Sequence, residues 1–204
     1  MEQVYEMNLW GGNEADFYSG EGSYLPEIVN PYITAVTSFL TSFESPLTVY
    51  DLGCGDFNVG KALVKHTKKY VALDIVPSLI ARNKEKFKAA NLEFHCLDIA
   101  VADLPSGDCA ILRQVLQHLS NAEIQSIVNK LAAFKYIILT EHIPEEDFIP
   151  NKDIISGQGN RLKKQSGVNL LAPPFNFKIK EVTQLSAVAL AGGKGVIATT
   201  LFRL

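Results

Sequence analysis

The sequence predicts an α/β protein on a doubly wound, Rossmann-like sheet, and three observations carry that expectation. Short apolar runs alternate with helix-forming segments between Thr48 and Glu141, joined by short connections, the pattern of parallel strands with crossover helices. The first run ends in Asp51-Leu52-Gly53-Cys54-Gly55, a strand-to-helix turn in which glycines let the backbone approach a ligand closely. Acidic residues end or follow three successive runs, at Asp51, Asp74 and Asp98. Open α/β sheets bind ligands beside those strand ends.

The elements follow in order. Leu25–Phe43 places Ile28, Tyr32, Val36, Phe39 and Phe43 at helical spacing, with Pro31 interrupting or bending the helix. Thr48–Asp51 reads as a buried strand and Val59–His66 as the next helix. Tyr70–Asp74 is a strand, and Pro77–Phe87 a helix opened by a first-turn proline. Its Lys84, Lys86 and Lys88 read as a solvated face. Leu92–Cys96, Cys109–Arg113 and Tyr136–Glu141 are strands three to five. Ser120 and Glu123 make a capping box for a helix ending near Phe134. Prolines 144, 150, 173 and 174 and glycines 157, 159 and 167 then break the pattern, and no helix is evident before the last two strands. Phe177–Val188 and Gly195–Leu204 flank a Gly192-Gly193 turn, an antiparallel hairpin at the sheet edge. A chain of 204 residues suits one domain. Its expected parts are an N-terminal cap and helix (1–45), a ligand-binding core (46–143), a substrate or lid loop (144–176) and the C-terminal hairpin (177–204).

A formal net charge of −3 argues against a broad nucleic-acid footprint. No apolar run approaches the roughly 20 residues of a membrane span, and the start Met1-Glu2-Gln3-Val4 is unlike a signal peptide. Cys54, Cys96 and Cys109 lack C-x-x-C spacing and lie in or beside apolar segments. Buried free thiols in a cytoplasmic protein are the expectation.

The glycine turn selects among ligands. After Gly55 the next glycine is Gly60, so the dinucleotide fingerprint G-x-G-x-x-G is absent, which disfavours a nicotinamide-dependent oxidoreductase. A carboxylate at Asp51 suits a ligand's ammonium or sulfonium better than a pyrophosphate. Asp74, nineteen residues after Gly55, is placed to accept both hydroxyls of a ribose. Asp98 can accept from an adenine amino group, with Ile75 and Ile99 as apolar faces for the base. A ligand-free turn with helix-capping aspartates accounts for one such residue, but less readily for three after successive strands.

On these residues, the segment from Val49 to Glu141 resembles the class I S-adenosylmethionine-dependent methyltransferases. Asp51-x-Gly53-x-Gly55 looks like the family's first motif, Asp74 its ribose-binding acid and Asp98 its adenine-contacting acid. Asp108 to Leu119 resembles the fourth strand and following turn. The resemblance implies seven strands in the order 3-2-1-4-5-7-6, the last antiparallel, with S-adenosylmethionine as cofactor. Gly53, Cys54, Gly55, Ile75, Ile99 and Arg113 would join the three aspartates around it, Arg113 at the methionine carboxylate. By the same analogy the segment carrying Trp10, Gly11, Gly12, Phe17, Tyr18, Gly20, Gly22 and Tyr24 folds over the cofactor, Tyr18 contacting it. The alternative is a strap whose aromatics cover the core.

For the acceptor the residues leave choices open. His142, after strand five, is a base candidate or a histidine hydrogen-bonded at a strand end. Gln114, His118 and Arg161 are substrate candidates, although packing for His118 competes. Lys152, Arg161, Lys163 and Lys164 favour an anionic acceptor or form a solvated charge run. Ala172-Pro173-Pro174-Phe175 is similar to the Pro-Pro-aromatic motif of amino-methylating nucleic-acid enzymes. It stands after strand five instead of four and lacks the preceding Asp, Asn or Ser. The expected function is O- or N-methylation of a small molecule. The alternatives are a protein or RNA methyltransferase and a non-catalytic cofactor-binding protein. No metal site, membrane or nucleic-acid partner is expected, and the oligomeric state is left open.

Overall fold

The computed structural model describes residues 2–11 and 16–204, so Gly12 of the N-terminal segment lies outside the described residues. A short helix, α1 (Glu2–Glu6), precedes α2 (Pro26–Leu40). One seven-stranded sheet follows, in the order β3-β2-β1-β4-β5-β7-β6. β1 (Thr48–Leu52), β2 (Lys69–Asp74), β3 (Leu92–Cys96), β4 (Gly107–Arg113) and β5 (Phe134–Ile143) are parallel. β7 (Val196–Arg203) is antiparallel to both β5 and β6 (Glu181–Ala189). The expected order and the reversed last strand are both present.

Strand pleating sorts side chains into two cores. Leu52, Leu73, Leu112 and Leu139 face one, and Val49, Ala72, Ile111 and Ile138 the other. The second core is closed by Tyr32, Val36 and Leu40 of α2 and by Ile80 of α3 (Pro77–Lys86). The first is closed by Ile124, Ile127 and Leu131 of α4 (Asn121–Leu131), whose Ser120–Glu123 capping box is formed. Val168, Leu170 and Phe175 complete it, so the aromatic of the Pro-Pro-Phe segment packs in the core. No helix among the described residues is long and apolar enough to cross a membrane.

Three local expectations are corrected. Val59–His66 is two 3-10 turns, Gly60–Ala62 and Val64–His66, instead of an α-helix. Gly60 has low helix propensity and lies under the Phe57 ring, and so short a stretch gains little from helix cooperativity. Of the cysteines, Cys109 is buried and Cys54 half-buried, but Cys96 is exposed. It sits in edge strand β3, where only Phe94 is covered. Lys86 is an ion-pair partner of Asp16 at 2.7 Å, so α3's lysines are not all a solvated face.

The 144–176 segment contains no α-helix, as its prolines and glycines imply, and is held by two polar side chains instead. Asn151, buried at φ +59°, donates through Nδ2 to Asn169 O (2.8 Å) and Pro173 O (2.9 Å) and accepts Asn169 N (2.8 Å). Arg161, 1% exposed, donates to Lys152 O (3.0 Å), Leu116 O (3.1 Å), Leu119 O (2.7 Å) and Asn121 Oδ1 (2.9 Å). Both satisfy carbonyls that a buried irregular backbone leaves without partners.

Candidate active site

A cavity of about 570 Å³ opens at the carboxyl ends of β1, β2 and β4, under the N-terminal segment. Its floor is the glycine turn. Gly53 has φ +91°, and a Cβ there would meet Val115 at 2.5 Å; Gly55 has φ +56°, and a Cβ would meet Ser19 Oγ at 2.6 Å. Both positions demand glycine, for conformation and for space. The Asp74 carboxylate braces the turn at the cavity wall, accepting Gly55 N (3.0 Å) and Val76 N (3.1 Å). Burial raises its pKa. Asp51 accepts the Tyr70 hydroxyl at 2.8 Å, and burial pushes its pKa up to about 7. Asp98 accepts Ala100 N at 2.8 Å. Ile75, 45% exposed, and Ile99 also line the wall.

The N-terminal segment is tied over this floor. Asp56 Oδ2 accepts Ser19 N (2.8 Å) and the Tyr24 hydroxyl (2.9 Å), while Asp56 N donates back to Ser19 Oγ (2.9 Å). Arg113 donates to Gly22 O and to Ser23 Oγ (3.2 Å), its guanidinium 4.9 Å over the Tyr32 ring. Arg113 Nε and Gln114 Nε2 are buried without hydrogen-bond partners among the described residues, the Gln114 amide packed beneath Gly22.

Beyond β4 and β5 a chain of hydrogen bonds fixes two histidines. His118 Nδ1 donates to Gly159 O (2.9 Å), which leaves Nε2 to accept from Gln117 Nε2 (3.2 Å). Gln117 Oε1 accepts His142 N (3.0 Å), and His142 Nε2 donates to Lys194 O (2.7 Å). A carbonyl only accepts, so each imidazole has a defined tautomer. Burial lowers the pKa of both rings and keeps them neutral. His118 has both nitrogens engaged, while His142 retains the Nδ1 lone pair.

The residues that form this floor are also those by which the chain can be compared with known proteins. A family model described as a methyltransferase domain matches residues 50–134. The matched stretch runs from within β1 to the start of β5, and the observed sheet order is the one the resemblance implies. The malonyl-[acyl-carrier protein] O-methyltransferase of Acetivibrio thermocellus is 36% identical over 63 residues, a match spanning 30% of this chain and 22% of that protein. The N-methyltransferase NodS of Bradyrhizobium japonicum WM9, solved with S-adenosyl-L-homocysteine, superposes with a TM-score of 0.71 at 13% identity over 99% of this chain and 97% of that one. Magnesium protoporphyrin IX methyltransferase of Synechocystis PCC 6803 gives 0.60 at 14% identity, over 99% and 96%.

Asp51, Gly53, Cys54, Gly55, Asp74, Ile75, Asp98, Ile99, Arg113, Gln114, His118 and His142 all border the one cavity. Two expected residues do not. Tyr18 stacks on Tyr24 (4.6 Å) outside the wall, and Tyr5 and Trp10 take the lining positions. Arg161 is neither solvated nor free for a substrate, because its guanidinium is spent on buried carbonyls behind the wall. Asp56 and Gln117 also border the cavity and escaped the sequence reading. Asp56 directly follows Gly55 and was the one with a local signal. Glu141, outside the lining, is 3% exposed, and neither carboxylate oxygen has a hydrogen-bond partner among the described residues. Burial pushes its pKa up to about 8, against the pull of Arg161.

Proposed function

We propose that this chain is an S-adenosylmethionine-dependent methyltransferase acting on an oxygen or nitrogen of a small molecule. The observation that carries the reading is the convergence of Asp51, Asp74 and Asp98 on one cavity floored by Gly53 and Gly55. In this reading Asp74 receives the ribose hydroxyls and Asp98 the adenine amino group, with Ile75 and Ile99 flanking the base. Asp51 receives the amino-acid ammonium, and Arg113, the cation on the wall, the carboxylate. The cofactor supplies a methyl group on a sulfonium sulfur, so a direct displacement suffices.

The chain's own work is alignment and proton removal. Holding reactants in line supplies about 7–11 kcal/mol in well-oriented systems. An acceptor that took up the methyl group would have to give up its own proton. His142 Nδ1, a neutral ring's free lone pair on the wall, is the group to take it. Gln114 and His118 border the acceptor. The small-molecule methyltransferases among the structural neighbours support this reading, as does the net charge of −3, which disfavours nucleic acid. Three free thiols suit a cytoplasmic setting.

Calorimetric titration of S-adenosylmethionine should show saturable micromolar binding, weakened at least tenfold by Asp74→Ala, about 1.4 kcal/mol. A folded wild type that does not bind overturns the proposal. Binding without turnover across an acceptor screen favours a non-catalytic role.

A further inference from the structure

We infer that the acceptor end of the cavity selects a flat, uncharged ring compound and rejects acceptors bearing a carboxylate or phosphate. The methyltransferase reading supplies the use of the bound molecule; the selectivity comes from the wall.

Charge is the first argument. Among the described residues the cavity wall carries six carboxyl side chains, Glu21, Asp51, Asp56, Asp74, Asp98 and Glu123, and one cation, Arg113. That cation faces the N-terminal segment, donating to Gly22 O and Ser23 Oγ over Tyr32. None of the cations that the sequence places near an acceptor, Lys152, Arg161, Lys163 and Lys164, lines the cavity. Arg161 is buried behind the wall, Lys152 Nζ donates to Lys164 O (2.8 Å) and Lys164 Nζ to Asp153 O (2.6 Å). Beyond β4 and β5 the wall is amide and imidazole: Gln114, Gln117, His118, His142, Gln158 and Asn160. Glu123 is the charge at that end, and it already receives Ser120 N (3.0 Å) and the Ser156 hydroxyl. An anion entering here would lose its hydration and meet no compensating cation.

Shape is the second. Trp10 and His118 line the wall with centroids 5.2 Å apart at 42°, and Tyr5, over the glycine turn, meets Trp10 edge-on at 5.3 Å. Trp10 is pinned by its Nε1 to Gln158 O (3.4 Å), and Gln158 Nε2 returns to Leu9 O (2.6 Å). An aromatic strip of this kind favours a planar partner.

Trp10 is the chain's single tryptophan, so its fluorescence reads this wall. Protein loaded with S-adenosylhomocysteine, with loading scored separately by calorimetry, is titrated with nicotinamide and nicotinate, and with quinoline and quinoline-2-carboxylate. The neutral member of each pair should quench saturably with a Kd at least tenfold lower than its carboxylate. Cyclohexanecarboxamide, lacking a π face, should compete at least fivefold more weakly than nicotinamide. Gln158→Lys, which adds a cation to the mouth, should bring nicotinate within threefold of nicotinamide. Equal or tighter carboxylate binding overturns the charge argument; absence of quenching by both rings, or equal competition by the saturated amide, overturns the stacking argument. If loading fails, the proposed function falls, and the same titration on cofactor-free protein still tests the wall.

Discussion

Between Thr48 and Arg113 each proposed cofactor contact stands on a strand's carboxyl end or in the turn beyond it; between Pro144 and Asn176 no strand or α-helix positions anything. The first region holds its side chains through the sheet. Asp51, Asp74 and Arg113 are aimed by pleat and register, and Asp74 needs only two neighbouring amides to finish the turn. The second region reaches the same cavity through stitches: Asn151 gathers its own loop, Arg161 fastens it to the turn after β4, and Gly157 and Gly159 clip to His118. A sheet-borne site tolerates loss of one polar contact, whereas a stitched wall depends on a few buried ones.

Arg161→Met should therefore have the largest effect. It strands buried carbonyls of residues 116–119, a loss of about 3 kcal/mol or more, or roughly 6–12 °C in Tm for a chain of this size. In the variant at temperatures where it is folded, S-adenosylhomocysteine affinity should stay within threefold while Trp10 fluorescence shifts toward a solvent-exposed spectrum. Loss of both in parallel would erase the distinction between the two regions.

Glu141→Gln comes next and works in the opposite direction. In the window between its ordinary value of 4.5 and its folded pKa of about 8, Glu141 keeps a proton that the unfolded chain has released. Stability therefore falls as pH rises through that window and levels off above it. The isosteric amide removes this slope, raising stability at pH 8 by about 1–3 kcal/mol and by little near pH 4.5. Thermal melts of both proteins across that range measure it, and a pH-independent difference would refute the assignment.

Asp51 offers a test on the sheet-borne side. With a folded pKa near 7, it must lose a proton before it can pair with a ligand's ammonium. Affinity for S-adenosylhomocysteine should weaken as pH falls from 8 to 6, by at most about tenfold per unit. Asp51→Asn should bind weakly and without that slope; an unchanged pH profile in the variant would assign the slope elsewhere.

The smallest effect is expected at Gly22, whose added Cβ would lie 2.6 Å from Gln114 Nε2. The amide is the far end of a flexible side chain, so Gly22→Ala should cost about 0.5–1 kcal/mol of nicotinamide affinity and leave Tm within about 2 °C. A larger Tm change would mean that the strap, not the amide, has to move.

Much of the cofactor floor was legible because it is local. Asp51-x-Gly53-x-Gly55 and the aspartates at Asp74 and Asp98 occur at strand ends that apolar runs announce, and β-structure converts those positions into one rim. Asp56 was missed because an aspartate after a turn glycine looks like a capping residue, and its partners Ser19 and Tyr24 are more than thirty residues away. Tyr18 was misplaced for a related reason. Four aromatics share that segment, and only its path over the floor decides that Tyr5 and Trp10 line the cavity while Tyr18 stacks on Tyr24.

The amino-acid sequence alone determined the order of the strands along the chain and the acidic, glycine-floored strand ends, because periodicity and turn chemistry act over a few neighbouring residues; the strand order within the sheet was legible only through the family resemblance. The tertiary structure alone decided what the charges of the 144–176 segment do. Arg161, surrounded by lysines in sequence, reads as a surface cation until its five buried hydrogen bonds to residues 116–121 and Lys152 are seen. A buried cation is stable only where carbonyl and amide oxygens converge on it, and that convergence exists only in three dimensions.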